Sequence, residues 1–162
     1  MAQIDNVDLA KLKRVAHAFV QFFPAQLTIG LVGTLGAGKT TLTQNIASAA
    51  GIDPEDVTSP TFTLLSSYAA NVAAGPITLH HLDAYRVHDE DEFLELGVEE
   101  LFDSQESWVL IEWADKVEAV MPRNTLWITI EPTDPRSLLL RCDDQNIQHA
   151  LRQIQSTVEA AS

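Results

Sequence analysis

Residues 33–40 read Gly-Thr-Leu-Gly-Ala-Gly-Lys-Thr, a match to G-x-x-x-x-G-K-[ST]. Glycines at these spacings let a backbone wrap around an anion with successive N–H groups pointing inward. The pattern arises by chance in fewer than about 1% of chains of this length, given average residue usage. Its surroundings fit the same reading. An apolar strand-like run, residues 27–32, precedes it, and a helix-forming run from Lys39 to about Ala50 follows, closed by Gly51. A helix beginning at Lys39 adds its positive dipole end to the loop. Strand, glycine loop and helix in that order are the opening of a parallel α/β sheet. The motif further predicts that Lys39 reaches the outer phosphates of a nucleotide and that the Thr40 hydroxyl ligates magnesium.

The rest of the chain supplies the elements for such a sheet. Apolar positions Leu9, Leu12, Val15, Ala16, Phe19 and Val20 recur at helical spacing, with a stop at Pro24. Residues 63–68 and 77–83 have the pattern of two strands, and a hairpin is expected there. A short acidic helix is expected over 90–96, a strand over 108–113 and a helix over 114–121. A second strand pair is expected over 126–131 and 137–142, and an amphipathic helix over 146–159. Pro60 excludes a central strand across residues 57–63. The expectation is a single domain over residues 1–162, a three-layer α/β/α P-loop NTPase. Its central sheet is mixed and mostly parallel, with antiparallel edge strands.

Charge narrows the function. The chain carries 10 Lys plus Arg against 23 Asp plus Glu, a net charge of −13. That balance argues against an independent nucleic-acid binder and against an anionic membrane surface. Cys142 is the single cysteine, so no internal disulfide is possible. No signal peptide and no apolar run of membrane-spanning length is visible. The expected location is the cytoplasm.

A nucleotide site of this kind needs an acid to hold magnesium or its waters. Two strand-like runs end in one, Ile77 to Leu82 at Asp83 and Trp108 to Ile111 at Glu112. The carboxyl ends of parallel strands line the ligand crevice, so both acids are candidates, and spacing does not choose between them. Thr58, Ser59, Thr61 and Thr63 flank Pro60 in a hydroxyl-rich segment suited either to a γ-phosphate-sensing switch or to an ordinary surface turn. His81, Asp83 and Tyr85 share one face of an extended segment. The His80-His81 pair lacks a third ligand at a suitable spacing, which argues against a metal site there. Arg86 suits either transferring phosphoryl charge or pairing with the acids after it. No Asn/Thr-Lys-x-Asp loop for guanine follows, which favours ATP.

Together these pieces resemble the TsaE family (also called YjeE), the small bacterial P-loop ATPases of the tRNA threonylcarbamoyladenosine pathway. The resemblance rests on Leu35 to Thr41, Ser59-Pro60-Thr61-Phe62-Thr63-Leu64, His81-Leu82-Asp83-Ala84-Tyr85-Arg86, Leu96-Gly97 with Glu99, and Ile111-Glu112-Trp113. It implies that Gly33, Leu35, Gly36, Ala37, Gly38, Lys39, Thr40 and Thr41 surround the nucleotide phosphates. It implies Thr40 and Glu112 as the first magnesium ligands, with Asp83 close to the metal, directly or through a water. Lys39, Asp83 and Glu112 are then the catalytic set. Ser59, Thr61 and Thr63 belong to a switch-like loop, and Trp113 lies near the nucleotide. The implied cofactors are ATP and Mg2+. The implied partners are a TsaD-like transferase and a TsaB-like companion, with tRNA contacted only indirectly. Two positions depart from the family pattern. Thr34 stands where an Asp is usual, and Asp8 stands where a base-contacting Thr is common. A small-molecule kinase on the same scaffold and a nucleotide-gated binding module are the alternative readings.

Overall fold

A computed structural model describes residues 1–57 and 64–161. Its described residues form a seven-stranded sheet in the order β1-β7-β6-β2-β5-β4-β3. The strands are β1 (Ala2–Val7), β2 (Leu27–Val32), β3 (Leu65–Val72), β4 (Gly75–Asp83), β5 (Ser107–Glu112), β6 (Leu126–Glu131) and β7 (Arg136–Arg141). The middle four, β6-β2-β5-β4, run parallel. Antiparallel pairs finish both sides: β3 on β4 at one edge, β7 on β6 and β1 on β7 at the other. The expected mixed sheet with antiparallel edges is the sheet observed.

Burial explains which strands are central. All of β5 is buried, and only the last residue of β2 is partly exposed, as a parallel strand covered on both faces requires. Side chains alternate between two cores. Leu27, Ile29, Leu31, Trp108, Leu110, Ile128 and Leu79 face the larger one, beneath α1 (Leu9–Phe22), α2 (Lys39–Ala49) and α5 (Gln145–Ala160). Leu82, Val109 and Ile111 face the smaller one, beneath α3 (Glu90–Leu94), α4 (Val98–Asp103) and a 3-10 segment, Ala114–Val120. Helices α1 and α5 begin at Asp8 and Asp144, whose carboxylates accept from the first-turn amides of Lys11 and of Asn146 and Ile147.

The elements differ from the expectation in four places, each for a local reason. β1 was not anticipated. Its apolar positions are few, its register with β7 slips between Ile4 and Val7, and Asn6 takes a φ of 55° there. Both hairpin strands extend inward to a tight turn pairing Val72 with Gly75, and the tip is tied down where the Asn71 and Ala73 amides donate to the carbonyls of Ala50 and Val20. The acidic helix stops at Leu94, and Gly97, at φ 80°, starts the separate short helix α4. The stretch after Trp113 is 3-10 helix with a kink at Val117. Eclipsing three-residue spacing puts the buried Ala114 and Val117 on the same side.

Gly30, mid-strand in β2, marks a close approach. A Cβ there would lie 3.0 Å from the Trp127 ring and 3.1 Å from the Ala114 Cβ. Gly30→Val is therefore expected to destabilise the fold by about 1–3 kcal/mol through overpacking. A urea denaturation midpoint equal to that of the parent chain would contradict this.

Candidate functional site

The chain turns from β2 into α2 through the glycine loop, and the turn has a definite internal scaffold. The Ala37 amide donates to the Thr34 carbonyl at 3.0 Å. Gly36 and Gly38 adopt φ values of 80° and 110°, a region that L side chains rarely occupy. Ala37 is fully buried and packs beneath the loop, whereas Leu35 at its tip is 80% exposed. The Lys39 ammonium donates to the carbonyls of Gly33 and Thr34 at 2.7 and 3.0 Å. It also stands 3.9 Å above the centre of the Trp113 ring. Lys39 is 5% exposed. Burial pushes its pKa below the ordinary lysine value, while the nearby Glu112, Asp115 and Asp83 carboxylates oppose that shift.

The two strand-end acids meet across the sheet. Asp83 and Glu112 are register partners at the carboxyl ends of β4 and β5. Both are nearly buried, Asp83 at 9% exposure and Glu112 at 2%. A buried carboxylate needs hydrogen-bond donors, and Glu112 has one on each oxygen. Thr40 Oγ1 donates to Oε1 at 2.8 Å, and His81 Nε2 donates to Oε2 at 2.5 Å. Asp83 Oδ1 accepts from the Tyr85 amide at 2.9 Å. Trp113, at φ 59°, leaves β5 in the left-handed region and turns its ring to lie 4.9 Å from that of Tyr85.

These groups surround a cavity of about 360 Å³. Leu35, Gly36, Gly38, Lys39, Thr40, Thr41, Asp83, Glu112 and Trp113 all line it. Gly33 contributes its carbonyl to Lys39, and Ala37 supports the loop from below. Ser59, Thr61 and Thr63 lie outside the described residues.

The donor set suits a nucleotide with magnesium. Among the described residues no group of three or more His, Cys, Asp or Glu side chains forms a metal cage. Magnesium does not require one, because it is commonly held by one or two carboxylates with waters and substrate phosphates. Thr40 Oγ1 and the Glu112 carboxylate, already in contact, with Asp83 beside them, fit that pattern. The loop curvature and Lys39 fit the phosphates.

The family model described as Threonylcarbamoyl adenosine biosynthesis protein TsaE matches residues 7–138. The chain belongs to the TsaE family. A Bacillus subtilis relative named tRNA threonylcarbamoyladenosine biosynthesis protein TsaE is 38% identical over 126 residues, covering 78% of this chain and 75% of its own. A Treponema pallidum protein of the same name is 38% identical over 100 residues, 62% of this chain and 69% of its own. The crystal structure of Bacillus subtilis YdiB superposes with a TM-score of 0.74 at 27% identity, covering 96% of this chain and 94% of that one.

In this TsaE-family chain the structure adds Arg136, which no motif singled out, and brings Tyr85, Arg86 and His81 of the His-x-Asp-x-Tyr-Arg motif to the site. Arg136, at the start of β7, borders the cavity, and a Cβ on Gly38 would come within 3.3 Å of its Nε. Tyr85 and Arg86 also line the cavity, Tyr85 against Trp113. His81 holds Glu112. Arg136 is far from the loop in sequence, so only the sheet order brings it there. Asp8 caps α1 and borders an adjoining groove with Leu9, Gly36 and Arg136. No helix among the described residues is long and apolar enough to cross a membrane.

Proposed function

We propose that this chain binds ATP with Mg2+ at the 33–41 loop and hydrolyses it. Its role is that of the ATPase subunit needed to form threonylcarbamoyladenosine at position 37 of tRNAs that read codons starting with A. It acts there with a TsaD-like transferase and a TsaB-like companion. The observation that carries the nucleotide part is the contact between Thr40 of the loop and Glu112 at the end of β5. A loop hydroxyl and a strand-end carboxylate joined beside a phosphate cradle are the pair that divalent-metal phosphoryl chemistry uses. The names of the relatives support the pathway.

The chain's own groups divide the work. The loop amides and Lys39 bind the β- and γ-phosphates and stabilise the charge that develops on the transferring group. Thr40 and Glu112 hold the metal, with Asp83 beside it. When bound, magnesium neutralises phosphate charge and orients the reacting group. Asp83, whose carboxylate accepts from the Tyr85 amide, orients the attacking water in this reading. Trp113 and Tyr85 form an aromatic wall beside the loop. The net charge of −13 agrees with a subunit that meets proteins rather than tRNA directly.

The test is magnesium-dependent phosphate release by the purified chain, alone and with the matching TsaD-like and TsaB-like proteins. Turnover is expected to rise severalfold with both partners present. Turnover indifferent to them would count against the pathway role and redirect attention to a phosphoryl acceptor.

A further inference from the structure

Glu112 needs to be more than acidic. A metal site works only if the carboxylate plane is held, because an unheld glutamate spreads over many rotamers. Thr40 holds one oxygen and faces the cavity. The other oxygen points inward, to His81 on the neighbouring strand.

His81 is fully buried in β4. It sits opposite Leu110 in the parallel register, two residues before the Asp83–Glu112 pair, so its ring lies one pleat behind the acids on the same face of the sheet. Its Nε2 faces a carboxylate oxygen, so that nitrogen carries the hydrogen and Nδ1 is the acceptor in the neutral tautomer. Nδ1 has no hydrogen-bond partner among the described residues. The described hydrogen bonding of this ring therefore goes to Glu112. An imidazole kept only for packing has no such bias, and an aliphatic side chain would fill the place without leaving a buried polar atom unpaired. The adjacent His80 differs. It turns to the other face and bonds Ser67 across the hairpin at 2.7 Å, and burial pushes its pKa below the ordinary histidine value.

We propose that His81 is a positioning residue of the nucleotide-metal site, locking the Glu112 carboxylate so that its Oε1 and the Thr40 hydroxyl present one preformed magnesium position. The proposal deepens the ATP-Mg2+ reading and rests on it. His81 touches neither nucleotide nor metal; it acts through Glu112.

The experiment is equilibrium binding of a fluorescent, non-hydrolysable ATP analogue to the full chain, titrated with Mg2+ and repeated in EDTA. Three variants separate positioning from packing. In His81→Gln the side-chain amide nitrogen falls near the place of Nε2 and can still donate to Glu112. In His81→Asn the amide nitrogen falls near Nδ1 and cannot reach it. His81→Leu removes the donor altogether. The Asn and Leu variants are expected to raise the Mg2+ concentration for half-maximal effect by about 10-fold or more, the usual scale for losing an outer-shell partner. Their affinity for the analogue in EDTA is expected to stay close to that of the parent chain, and Gln is expected to restore most of the magnesium response. Should Leu fail to fold, the Asn and Gln pair decides alone. An unchanged Mg2+ midpoint in Asn, or a Gln variant as impaired as Asn, overturns the proposal. So does an equal loss in EDTA and in Mg2+. Absence of analogue binding by the unmodified chain would instead overturn the underlying ATP reading, and the two failures are thus distinct.

Discussion

Lys39→Met is expected to abolish measurable turnover and to weaken ATP binding by on the order of 100-fold or more, the cost of removing a preorganised charge from the transferring phosphate. The same variant is expected to melt no lower than the parent chain. The two effects separate because of where the ammonium sits. It is held in a nearly buried position by two loop carbonyls and the Trp113 ring. Burial lowers its pKa despite three carboxylates nearby, so the charge is kept in the fold at a cost. Methionine preserves most of the stem that crosses the loop and removes that cost. A group retained against its own desolvation, beside an anion cradle, is better explained by ligand binding than by folding. Binding is read with a fluorescent ATP analogue, and stability by thermal unfolding without nucleotide. Parent-like affinity in Lys39→Met would remove the 33–41 loop from consideration as the nucleotide site. A large drop in melting temperature would mean that the two carbonyl contacts hold the loop.

Much of this site was legible because its chemistry is local in sequence. The loop and its lysine lie within one short motif, and Asp83 and Glu112 could be picked out because each ends an apolar run. Period-two alternation also placed His81 on the face of Asp83. What alternation could not give was the partner. The bond from His81 to Glu112 depends on β4 lying beside β5 in one particular register. Arg136 reaches the loop because β7 folds back on β6, a hairpin whose place in the sheet has no mark in the residues themselves. β1 was illegible for a related reason. Its three buried apolar residues, Ala2, Ile4 and Val7, do not keep a period of two, because the register with β7 slips between Ile4 and Val7. The sequence predicts a helix over 114–121 without fixing its type, because apolar residues three apart serve 3-10 and α geometry alike. Glu112 was favoured over Asp83 as the metal ligand by resemblance, and geometry supplies an independent reason: Glu112 is the acid that Thr40 touches.

That contact makes Glu112→Gln the more discriminating counterpart to the lysine variant. The substitution keeps the shape and removes the charge. Thr40 can still donate to the amide oxygen. The amide nitrogen would face His81 Nε2, and the imidazole can accept that hydrogen bond by moving its own hydrogen to Nδ1. The fold is therefore expected to survive with a melting temperature close to the parent value. Alanine would be harsher, since it would leave both the hydroxyl and the buried imidazole without the carboxylate they share. Function is expected to respond oppositely. Magnesium-supported turnover should fall on the order of 100-fold, because a carboxylate that holds the metal is lost at the developing phosphate charge. ATP affinity in EDTA should hold or improve, since a negative group beside the phosphates has been removed. Phosphate release at saturating Mg2+ reads the first effect, and a titration of ATP affinity against Mg2+ reads the second, with the variant at or above the parent affinity at low metal and below it at high. If the two curves remain parallel throughout, Glu112 is outside the metal shell and Asp83 takes its place.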